Sequence, residues 1–175
     1  MSANTTIDFA GHKLTILCDA DPFNAATITS FASGGELHVV VLQDKTVTNA
    51  KIALSGSLKL VKEGPGTFGA SLPNQSFTGG VEILAGTANA TGWGSDHGWG
   101  AVGREIAVCT NAVFEMQGKP RYEDYTFVMK GGKVTNGAGT VGTLYKAADF
   151  KNVRVEADST FDFSQAYSVM SYING

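Results

Sequence analysis

The chain is short of charge, of basic clusters, of long apolar runs and of cysteine, and each shortage removes a class of function. Charged residues make up 17% of its 175 residues, against about 25% in an ordinary globular domain. The net charge is −3, and the longest basic cluster is Lys119-Pro-Arg121. Neutralising phosphates takes clustered Lys and Arg, so no nucleic-acid partner is expected. No run approaches the roughly 20 apolar residues of a membrane helix, so no transmembrane segment is expected. The longest apolar stretch, residues 39–42, reads as a strand centre. Residues 1–6 are polar and do not read as a signal peptide. The two cysteines, Cys18 and Cys109, make no disulfide framework.

Helical periodicity is nearly absent too, and what replaces it is alternation. Leu14/Ile16, Leu37/Val39/Val41, Leu58/Leu60, Val81/Ile83, Ile106/Val108, Phe114/Met116, Phe127/Met129, Val153/Val155 and Phe161/Phe163 each repeat at a period of two. Turn residues separate them, as at Ser33-Gly34-Gly35 and Glu63-Gly64-Pro65-Gly66. The glycines that precede these runs are phased: Gly11, Gly35, Gly56 and Gly80 step by 24, 21 and 24 (11 to 35 to 56 to 80), and a further step of 23 reaches Gly103. A period in the low twenties with two or three strands per step is the signature of a solenoid. An antiparallel sandwich is the rival, but its strands vary in spacing. The phasing predicts one inward column of Leu14, Leu37, Leu58 and Ile83. After Gly103 the next glycine mark is Gly132, 29 residues on (103 to 132), which predicts an inserted loop near residues 118–124. A last rung-like piece is residues 151–163. Tyr167, Met170, Tyr172 and Ile173 are expected to cover the last rung.

In such a coil Cys18 and Cys109 lie 91 residues apart (18 to 109), about four turns. Rungs about 4.8 Å apart then separate their Cα atoms beyond the roughly 7 Å a disulfide allows. Both read as buried thiols acting as small hydrophobes.

Residues 58–87 carry a more specific pattern: Lys62, Gly64, Gly66, then Gly79-Gly80, a strand, and Gly86-Thr87. This resembles the autotransporter-associated β-strand repeat of bacterial surface-protein passengers. The family's next leucine is Ala88 here, and Gly98-Trp-Gly-Ala-Val-Gly103 resembles its connecting loop. The resemblance implies an exported, right-handed parallel β-helix and no catalytic residues.

Four groups of residues invite chemistry. Trp93-Gly-Ser-Asp96-His97-Gly-Trp99 could stack two indoles on sugar rings, with Asp96 and His97 supplying hydrogen bonds; the plainer reading is a rung-to-rung connector whose tryptophans cover the apolar flank. Asp19 and Asp21 could serve glycoside hydrolysis or hold Ca²⁺, though a two-residue spacing in a turn supports neither well. His12, His38 and His97 lack the partners of a metal site and read as solvated surface residues. Gly64-Pro-Gly66 and Gly131-Gly132 are followed by no Lys-Ser/Thr and by no helix, so they are not phosphate loops.

The sequence therefore predicts an all-β fold, a single-stranded right-handed parallel β-helix of about seven coils. It forms one domain over residues 1–175, a segment of a larger protein. The expected function is a structural stem or adhesin-like segment of an exported bacterial surface protein, with no enzyme activity, cofactor or metal. Its location would be the cell surface or secreted. Its partners would be a host or matrix glycan or protein, with end-to-end self-association a further outcome of open coil ends. The alternatives are a carbohydrate-binding module centred on Trp93, Asp96, His97 and Trp99, or a carbohydrate-active enzyme on the same coil.

Overall fold

A computed structural model describes residues 6–20, 22, 26–50, 52–70, 75–90, 99–116, 124–136, 150 and 152–162. No α-helix occurs among them. The strands stack in parallel as a β-solenoid, on three faces. A three-stranded sheet joins β1 (Thr6–Asp8), β3 (Ala26–Ser30) and β6 (Ile52–Gly56). A seven-stranded sheet joins, in sequential order, β2 (Lys13–Cys18), β4 (Glu36–Val41), β7 (Lys59–Glu63), β9 (Val81–Ile83), β11 (Glu105–Cys109), β13 (Thr126–Lys130) and β15 (Asn152–Ala157). A six-stranded sheet joins β5 (Thr46–Ala50), β8 (Thr67–Ala70), β10 (Gly86–Ala90), β12 (Ala112–Met116), β14 (Lys133–Asn136) and β16 (Thr160–Asp162). Every pairing between these strands is parallel, which excludes the antiparallel sandwich.

Period-2 alternation sends every second side chain inward, and parallel register stacks those side chains into columns. In the seven-stranded sheet one column runs Leu14, Leu37, Leu60, Val81, Ile106, Phe127, Val153. The next runs Ile16, Val39, Lys62, Ile83, Val108, Met129, Val155. From the six-stranded sheet come Val47, Phe68, Ala88, Phe114, Val134 and Phe161. The core also changes character along its length. Aliphatic residues predominate around Ile28 and Leu37, and Phe68 joins Ile52 and Leu60 in the coil that follows, all buried. Farther on, edge-to-face rings run from Trp99 to Phe114, Phe127, Phe150 and Phe161, with centroids 5.4, 5.3, 4.9 and 5.8 Å apart.

The third face continues beyond β6 without regular strands. Ser76 and Thr78 N–H donate to Leu54 and Gly56 carbonyls, and Ala101 N–H to Phe77 O. Gln75 takes a strand's place with its side chain. Its Oε1 accepts from Leu54 N–H at 2.6 Å and its Nε2 donates to Ile52 O at 2.9 Å.

Two sequence expectations need correction. The predicted column mixed registers: Leu60 and Val81, not Leu58 and Ile83, continue Leu14 and Leu37. The glycine marks a corner, and corners differ in length. The column residue follows its glycine by three residues at Gly11, two at Gly35, four at Gly56 and one at Gly80 (to Leu14, Leu37, Leu60 and Val81). Leu58 is fully buried, just before β7. The gap after Gly103 is likewise no insertion. Ile106 to Phe127 is a step of 21 (106 to 127), among the shortest in the column. Gly132 precedes β14 on a different corner from Gly103, which precedes β11, so the two marks never belonged to one phase. The piece at residues 151–163 is borne out as β15 and β16. Tyr167, Met170, Tyr172 and Ile173 lie outside the described residues.

Candidate functional site

The outward surface of the seven-stranded sheet carries the densest polar chemistry among the described residues. Its central outward column is Thr15, His38, Val61, Glu82, Ala107, Val128 and Arg154. Val61, Ala107 and Val128 point away from the core yet are buried. Long charged neighbours lie over this sheet, and apolar stems can cover such surface while their heads stay polar.

The charges pair across strands. His38 faces Glu63 Oε1 with Nδ1 at 2.5 Å and Glu36 Oε2 with Nε2 at 3.1 Å. Lys59 Nζ donates to Glu82 Oε2 at 2.5 Å, and Lys130 Nζ to Glu82 Oε1 at 3.3 Å. Lys130 lies two strands from Glu82, so its arm passes over β11. Arg154 likewise passes over β13 to reach Glu105 at 2.9 Å, and its Nε donates to Glu156 at 2.8 Å. The Lys59 hydrogen bond, aided by Lys130 and opposed by burial, holds the Glu82 carboxyl below the usual carboxylate range. Its own hydrogen bond to Glu82 raises Lys130 above the ordinary lysine value. Cys109 shares this cluster, its Sγ 3.8 Å from Glu82 Oε1. Burial first, then the Glu82 charge, pushes its thiol up, so it is protonated at neutral pH and no nucleophile.

On such a surface the charges are paired with one another. It offers hydrogen bonds and shape, not a field that gathers a polyanion. Among the described residues no group of three or more His, Cys, Asp or Glu is placed to hold a metal ion. No helix among them is long and apolar enough to cross a membrane.

The predicted ligand loop divides. Trp93, Asp96 and His97 lie outside the described residues. Trp99 is 2% exposed and its ring packs edge-on against Phe114, so this indole faces the core and not solvent. Of the other sequence candidates, Asp19 is exposed and Asp21 lies outside the described residues. His12 is exposed as expected, but His38 is not a solvated residue. It points outward and is still only 6% exposed, because Glu36 and Glu63 close over it. Cys18 is buried in β2 and Cys109 half-buried in β11, four strands apart, and no disulfide joins them.

Sequence reading placed Lys62 in the repeat pattern but missed its burial. It is fully buried, in an inward column between Val39 and Ile83. The signal was present: Lys62 shares the phase of Leu58 and Leu60, a lysine in an apolar position.

No family model, curated protein or solved structure matches the chain.

Proposed function

We propose that the chain is a structural stem or adhesin-like segment of an exported bacterial surface protein, related to the autotransporter-associated repeat. We further propose that it winds right-handed in about seven coils, one for each strand of the longest sheet. The observation that carries this reading is the unbroken seven-stranded parallel ladder, whose outward charges pair across strands. A stacked ladder resists bending, and its outer surface presents side chains along a line. The glycine pattern around Lys62, Gly64, Gly66, Gly79, Gly80 and Gly86 supports the family assignment.

A sugar-binding module is the second reading. The loop bearing Trp93, Asp96 and His97 motivates it, with stacking falling to Trp93, since Trp99 serves the core. Two measurements separate the readings. Antibodies against the chain should label intact cells of the source organism; protein confined to the cytosol overturns the stem. A broad glycan panel, scored for binding and for new reducing ends or unsaturated products, should show no turnover. Binding lost in Trp93→Ala promotes the module, and turnover lost in Asp19→Asn or Asp21→Asn promotes an enzyme.

A further inference from the structure

Lys62 is the one lysine among the described residues with no exposed surface. Its Nζ donates to three backbone carbonyls: Glu63 O at 2.9 Å, Gly64 O at 2.8 Å and Ala85 O at 2.9 Å. An ammonium has three donors, and all three are used. The acceptors come from two successive coils. Glu63 and Gly64 lie where β7 leads to β8, and Ala85 where β9 leads to β10.

The corner is built of backbone. Gly64 and Gly86 both have positive φ, 75° and 68°. A Cβ at Gly86 would lie 2.6 Å from Gly66 O and closer still to Gly64 O, so the two turns touch directly. Among the described residues no carboxylate bonds the ammonium: Glu63 offers its carbonyl inward while its carboxylate binds His38 outside. A cation held by carbonyl dipoles in place of its hydration shell is the chemistry of potassium-type filters.

We propose that these three carbonyls form a monovalent-cation site of ammonium or potassium size, and that the chain fills it with its own tethered ammonium, that of Lys62. The site then sets the height of one corner above the next. Burial draws the Lys62 pKa down to about 8, opposed by Cys18 and Glu63, which leaves the group charged at neutral pH.

The test removes the arm and supplies free cations. Lys62→Ala and Lys62→Met are melted in matched chloride salts of ammonium, potassium, sodium and tetramethylammonium. Lys62→Ala should melt well below the parent. It should recover most of that loss, saturably, in ammonium or potassium, but not in tetramethylammonium, which is too large for the cage. Lys62→Met, which fills the space without charge, and the parent should show no cation-specific gain. Identical responses of Lys62→Ala and the parent to all four salts overturn the proposal. Should Lys62→Ala fail to fold in any salt, the parent decides. With ¹⁵N-labelled lysine at neutral pH, Lys62 should show a slowly exchanging NH₃⁺ coupled through hydrogen bonds to three carbonyls. A fast-exchanging or neutral amine there overturns it equally.

Discussion

Replacing three glycines with alanine separates two costs that glycine avoids. Gly103 has φ of +79° and nothing within 4 Å of where a Cβ would sit. Alanine there carries only the left-handed backbone penalty, about 1–2 kcal/mol. Gly66 is the converse, with φ outside the left-handed region. Its Cβ would lie 2.6 Å from both Lys45 O and Val41 Cγ1, and closer to Leu42 O. Overpacking costs about 1–3 kcal/mol, and here two of the three obstacles are backbone of the preceding coil. Gly66→Ala therefore belongs near about 3 kcal/mol. Gly64 combines both, with φ of +75° and a Cβ driven against Val41 O. Adding the backbone penalty to a clash like that at Gly66 gives about 4–5 kcal/mol. Urea unfolding followed by far-UV circular dichroism orders the three variants, provided the slope m is unchanged. The expected order of loss is Gly103→Ala, then Gly66→Ala, then Gly64→Ala. A Gly66→Ala variant as stable as the parent, or a Gly103→Ala variant as damaged as Gly64→Ala, would refute the close stacking of turns.

Phe127→Leu should cost about 2–3 kcal/mol, since it removes two edge-to-face pairs worth about 0.5–1.5 each as well as packed volume; both partners, Phe114 and Phe150, are buried. Phe161→Leu, only half-buried, should cost less, and equal losses in urea melts would contradict the ring chain. Lys62 makes stability depend on alkaline pH. Its folded pKa of about 8 lies below its ordinary 10.5, so between those values the unfolded chain binds more protons. Stability should therefore rise with pH across that window, by up to roughly 3 kcal/mol. Unfolding free energies measured from pH 7 to 10 should show this rise in the parent and not in Lys62→Met; a parallel profile for the two would sink it.

The coil was legible because two simple signals agree. Alternation located the strands, and a glycine period near 23 located their repeats, so the four-strand separation of Cys18 and Cys109 followed directly. Register was not legible, because corners absorb one to four residues and a slip of two leaves the apolar phase intact. Leu58 and Leu60 look alike in sequence, and only the pairing of Leu60 with Leu37 tells them apart. The outer surface depends on that register. His38 meets Glu63 from the next coil, 25 residues on, and no local pattern announces it. Lys62 could have been read from its phase; its carbonyl partners could not. Trp99 sits among glycines that suggest an exposed loop, and burial of its ring follows only from Phe114 in the facing sheet.

The shift from aliphatic to aromatic filling gives the solenoid a direction. Each large ring buries about 150–250 Å², and the free energy of a stacked array is close to a sum over neighbouring repeats. The coils between Trp99 and Phe161 therefore hold their neighbours harder than the coils around Ile28 and Leu37 do. On heating, the aliphatic coils are expected to fray before the aromatic ones. A chain emerging from a ribosome with its N-terminal side leading would present its weaker coils before the aromatic ones that couple hardest.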